Sequence, residues 1–152
     1  MTEVGAERQL ARSMAKYSPE VSAVARAALK KMQARLPGAV QIVYDNYNAL
    51  VIGFGPSERA SEAVFSIALY PKWVNLFFLN GAGLPDPDRL LKGSGSRVRS
   101  IRLETAAMLD APAVRALMAH AIEKSEPFGP KRAGRLIVRS VSAKQRPRRA
   151  SK

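Results

Sequence analysis

The sequence predicts an α+β protein: a two-layer sandwich with about five mainly antiparallel strands in one sheet and two long amphipathic helices on one face. Three observations predict it. Residues 19–36 and 112–122 each carry a single apolar stripe at i, i+3, i+4 spacing. Between them lie runs rich in Val, Ile, Phe and Tyr, joined by short turns, for which an antiparallel meander is the economical topology. A chain of 152 residues is long enough for one domain with one sizeable core.

The elements follow in order. Leu10, Met14 and Tyr17 share a face, which predicts a weak helix over 5–16. Ser18 is a good N-cap and Pro19 suits the first helical position. The stripe Val21, Val24, Ala25, Ala28, Leu29, Met32, Leu36 then runs to Pro37-Gly38. Strands are expected at 40–44, 49–55, 63–70 and 73–79. The fourth of these, WVNLFFL, is apolar on both faces except at Asn75 and reads as central. Val98–Leu103 is a fifth strand whose apolar phase slips between Val98 and Ile101, as at a bulge. Asp110 can cap a final helix striped by Val114, Leu117, Met118, Ala121 and Ile122. Beyond Pro127 the chain reads as largely disordered, with Leu136-Ile137-Val138 able to add an edge strand.

The charge is uneven. The net value is +13, yet residues 127–152 hold nine Lys/Arg and no acid, against sixteen Lys/Arg and twelve Asp/Glu before them. A basic tail points either to an anionic partner such as nucleic acid or to a solubilising end. The absence of cysteine excludes disulfides, thiolate nucleophiles and Cys-based metal sites, and fits a cytoplasmic location. Neither a signal peptide nor an apolar run of about 20 residues is visible, so no membrane association is expected.

The run VNLFFLNGAGLPDPDRLLKGSGSRVRSIRL, from Val74 to Leu103, resembles the signature region of bacterial YdhG-like domains of unknown function. The matching parts are the strand Val74–Leu79, Gly81, the turn Leu84–Pro87, Leu90-Leu91, Gly93, Gly95 and Arg99 with the strand it opens. A looser similarity extends from Val21 to Ile122. The resemblance implies a compact α+β domain, placed at 18–126, and the N-terminal helical segment at 1–17 and the basic tail at 127–152 lie outside it. It also implies, for some members, a frataxin-like iron-chaperone role. Iron of that kind needs clustered carboxylates. Here the helix 19–36 has only Glu20 against four basic residues, and Asp86 and Asp88 adjoin Arg89, so no metal site is nominated.

Two stretches carry candidate chemistry. In the loop, Gly81, Leu84, Pro85, Asp86, Pro87 and Leu91 read as structural. Each proline fixes its own φ, Asp86 can bond back to nearby amides and open a helical turn at 88–91, and Leu90-Leu91 can pin the loop to the core. The second half, Lys92, Gly93, Ser94, Gly95, Ser96, Arg97 and then Arg99, combines flexible backbone, hydroxyls and charge. It reads either as a turn or as a nest for a phosphorylated or other anionic small molecule. Arg97, Arg99 and Arg102 can form a basic strip or protect an edge strand.

From Lys131 onward, Lys131, Arg132, Arg135, Arg139, Lys144, Arg146, Arg148 and Arg149 offer non-specific phosphate contact without aromatics for base stacking. The aromatics Tyr44, Tyr47, Phe54, Tyr70 and Trp73 can line a groove on the open side of the sheet or close a core. His120 stands alone, no catalytic constellation or cofactor motif is present, and a binding role as monomer or homodimer is expected rather than catalysis.

Overall fold

The structure is a computed structural model that describes residues 2–150. It contains three helices and one six-stranded sheet. α1 spans Glu3–Ala15, and its N-cap Thr2 accepts a hydrogen bond from the Gly5 amide at 3.0 Å. α2 spans Pro19–Arg35, capped by Ser18, whose hydroxyl accepts from the Val21 amide. The strands β1 (Val40–Asp45), β2 (Leu50–Gly55), β3 (Phe65–Leu69), β4 (Val74–Phe78) and β5 (Arg99–Leu103) form the expected antiparallel meander. α3 (Pro112–Glu123) and β6 (Arg135–Val141) complete the order β5-β4-β3-β2-β1-β6.

Period-two alternation decides the core. Val43, Ile52, Ile67, Leu76 and Ile101 lie side by side across five strands, and all are buried. Side chains from all three helices join them in one cluster, among them Leu10, Ala28, Met32, Leu117 and Met118. Ala25 and Ala28 of α2 are fully buried, consistent with a close approach of that helix to its neighbours.

The sheet is mixed rather than wholly antiparallel, because β6 runs parallel to β1. The reason is where the chain arrives. β5 ends beside the start of β4, with Leu103 opposite Val74. α3, about 18 Å long at 1.5 Å per residue, carries the chain back toward the other end of the sheet. β6 therefore begins at Arg135 opposite Val40, the first residue of β1.

The tail is accordingly not largely disordered. Leu136 is buried, its amide donates to Glu3 at 3.1 Å, and α1 packs against β6. Residues assigned to a separate N-terminal segment and to a tail thus share one core with the middle of the chain. A short turn at 129–134 seats this strand against the α2–β1 connection. A Cβ on Gly38 would lie 1.9 Å from the Gly129 carbonyl oxygen, so the close approach, not a left-handed φ, requires glycine there.

Two local expectations are corrected. β5 has no bulge: it pairs continuously with β4, and Val98 lies outside it, 43% exposed. The irregularity falls instead in the β1–β6 pairing, between Val43 and Tyr44. Asp110 does not cap α3, whose N-cap is Ala111. Its carboxylate turns toward α2 and α3, meeting Lys31, Arg35 and Arg115. The Lys31 hydrogen bond, with those three positive charges, holds it below the usual carboxylate range.

Candidate functional site: a basic and aromatic groove at one end of the sheet

The β1–β2 and β3–β4 turns project from the same end of the sheet, since Asp45, Leu50, Leu69 and Val74 lie in register there. β6 also ends at this point, with Val141 opposite Asp45. The chain leaving β6 runs across the β1–β2 turn. The Ser142 amide donates to the Asp45 carbonyl at 2.8 Å, and the Arg146 amide donates to the Tyr47 carbonyl at 2.9 Å. Two hairpin turns and the C-terminal segment then enclose an open groove of about 810 Å³.

Tyr70 and Trp73 flank the β3–β4 turn, with ring centroids 5.6 Å apart and planes tilted by 32°. Arg102 of β5 lies 4.4 Å over the Trp73 ring, in an adjoining hollow that it shares with Glu20 and Glu104. Lys72, Arg146 and Arg149 bring three cations to the groove. The Arg146 guanidinium sits 5.7 Å over Tyr47, which is half exposed. Burial pushes the Tyr70 phenol above its ordinary range, so it stays neutral.

One arginine of the segment turns inward. Arg148 is 6% exposed, and its Nη2 lies 2.8 Å from the Asp45 carboxylate, itself 1% exposed. The second carboxylate oxygen accepts from the Ser13 hydroxyl at 2.8 Å. Arg148 also donates to the carbonyls of Asn46 and Tyr47 and stacks 5.5 Å over Tyr17. Its Nε is buried without a partner among the described residues.

The eight tail cations therefore do not act as one set. Only Arg146 and Arg149 line the groove. Arg135 pairs with Glu58 at 3.1 Å, and Arg139 donates to the Glu58 carbonyl. Lys131 and Arg132 sit in a helical turn beside α1, Lys144 is exposed, and Arg148 is consumed internally. The chain from Lys131 onward lacks aromatics of its own, but folding places its end beside Tyr47, Tyr70 and Trp73. Nothing in the local sequence announced this, because the residues are far apart along the chain.

The aromatic set is divided. Phe54 is fully buried in the core. Tyr44 lies on the open sheet face, where Val40, Ile42, Val51 and Gly53 line a separate apolar hollow of about 340 Å³.

The Gly-Ser-Gly loop is exposed from Lys92 to Arg97. Its guanidiniums are largely occupied. Arg97 donates twice to the Asn80 side chain, and Arg99 donates to the carbonyls of Gly95 and Val98. No basic strip forms, because Arg97 lies outside β5 while Arg99 and Arg102 point to opposite faces. Gly93 has φ 129° against the Val98 carbonyl, which requires glycine. Upstream, Asp86 accepts from the Leu90 and Leu91 amides, both at 2.9 Å. The expected helical turn at 88–91 is absent, and Arg89 takes φ 53° instead. Leu84 is buried, and Gly81 admits no Cβ because Arg99 and Phe78 crowd it.

Among the described residues, no three His, Cys, Asp or Glu side chains lie together as a metal site, and no helix is long and apolar enough to cross a membrane. Comparison with known proteins gives no match: no family model, no curated protein and no solved structure is similar to the chain.

Proposed function

We propose that the protein binds single-stranded nucleic acid in the groove at the end of the sheet. The observation that carries this reading is the interleaving of Tyr70 and Trp73 with Lys72, Arg146 and Arg149 in one open groove. Aromatic rings accept the π-face of any unpaired base, and cations beside them meet the phosphates. Bases inside a duplex present only their edges, so such a groove favours a single strand.

A second reading has its own observation. The amides from Gly93 to Val98 have no hydrogen-bond partner among the described residues, which suits a small anion at the Gly-Ser-Gly loop. It is the lesser reading, because Arg97 and Arg99 already serve the loop itself.

One titration separates them. Isotope-labelled protein is followed by NMR while an unstructured DNA oligonucleotide, and separately inorganic phosphate, is added. Binding in the groove shifts the signals of Lys72, Trp73, Arg146 and Arg149 with the oligonucleotide, and Trp73→Ala weakens binding about tenfold. Fixed signals at those positions would sink the groove reading. Phosphate-induced shifts at Gly93–Val98 would favour the second.

A further inference from the structure

We infer that the Asp45–Arg148 pair is a latch that holds the C-terminal segment across the β1–β2 turn and so sets the groove's preference for single strands. The inference rests on the nucleic-acid reading for its second half only; the latch itself stands on geometry.

The groove has one fixed wall and one wall supplied by chain that has already left the sheet. The fixed wall is the β3–β4 turn with Tyr70 and Trp73. The other wall, Arg146, Pro147, Arg149 and Ala150, follows the last residue of β6 by several positions. No regular element holds that wall. Its backbone ties are few: the Ser142 and Arg146 amides to the β1–β2 turn. Its buried side-chain tie is Arg148, which lies in sequence between the two groove cations Arg146 and Arg149.

The groups that hold the pair come from three places. Asp45 ends β1, Asn46 and Tyr47 form the turn, and Ser13 in the last turns of α1 orients the carboxylate. Arg149 adds a bond from Nε to the Lys16 carbonyl at 3.2 Å. The guanidinium is thus anchored where α1, α2 and the hairpin meet. On one side of it Arg146 lies over Tyr47, and on the other Arg149 lines the groove while its Nε holds the Lys16 carbonyl. Other side chains that face the pair are Tyr17 and Gln145, whose amide reaches the Asp45 carbonyl.

A charged anchor suits a reversible contact. A buried ion pair gains little net stability over apolar packing, but removing one partner leaves the other without compensation. Breaking the pair should therefore free the segment rather than let it settle into another packed position. Once freed, Arg146 and Arg149 still attract phosphate, but they no longer stand opposite the rings. Polyanion attraction survives and discrimination does not. Asp45, Arg148 and Ser13 act as positioning residues that touch no ligand.

The test uses the full chain with Arg148→Ala, Asp45→Asn and the milder Ser13→Ala. Amide hydrogen exchange is read at Ser142 and Arg146, with Ile52 and Ile67 as core references. Affinity is read by anisotropy for one DNA sequence as single strand and as duplex. The expected result is at least tenfold faster exchange at Ser142 and Arg146 with unchanged references. Single-strand affinity should fall about tenfold while duplex affinity changes less than twofold. If Asp45→Asn does not fold, Arg148→Ala decides, since there the departing segment lets water reach Asp45. Retained protection at Arg146 overturns the latch. A freed segment with unchanged single-strand preference overturns its role in the groove. If the unaltered protein binds no strand at all, the nucleic-acid reading fails, and the exchange result alone judges the latch.

Discussion

Arg148 carries its charge into the interior beside Tyr17, and the consequence can be read from the phenol. Burial pushes the Tyr17 phenol up to about 12, and the nearby Arg148 charge offsets this only in part. Its oxygen accepts the Leu50 amide at 3.1 Å. Because the folded state holds this proton more tightly than the unfolded chain, Tyr17 contributes stability fully below pH 10. That contribution is lost as the pH rises toward about 12. Urea midpoints measured across this window should fall more steeply for the unaltered protein than for Tyr17→Phe. Equal slopes would show that the phenol is not held this way. Tyr17 was visible in the sequence as the end of an apolar face. Its partner was not, since an arginine in the run RPRRA looks like any other basic tail residue until Asp45 is placed beside it.

At the scale of elements, β6 depends on a glycine-lined turn more than on its own short apolar run. The chain at 129–134 can pass the α2–β1 connection only because Gly38 has no Cβ; a methyl there would overlap the Gly129 carbonyl. Gly38→Ala should therefore destabilise the fold by about 1–3 kcal/mol, the usual cost of overpacking a close contact. The loss should show first as faster amide exchange in 135–141, before the central strands respond. Uniform exchange across the sheet would mean that β6 is not the part that gives way. The stripes of α2 and α3 and the five-strand meander were legible, because burial on one face imposes a period that sequence records. The strand at 135–141 was legible only as Leu136-Ile137-Val138, and its direction was not. That direction follows from the length of α3 and the end of the sheet at which β5 stops.

For the molecule as a whole, the question is whether its excess charge works as a loose polycation or through a shaped surface. Three cations line the groove, so the affinity for a single strand should fall with log salt at a slope of about −2. A free tail using all nine of its Lys/Arg would give a slope of about −6. Anisotropy at several salt concentrations distinguishes the two, and the steeper slope would mean that the segment leaves the fold to bind. By itself the sequence determined the α+β class, the helix stripes, the order of the antiparallel strands and the concentration of charge near the C-terminus. These follow from local periodicity and composition. The tertiary structure alone decided that this charge is divided among a buried pair, a strand edge and a groove, and that Trp73 and Arg146 are neighbours. Such pairings depend on which ends of the sheet the chain returns to, a property of chain path that no local pattern of residues encodes.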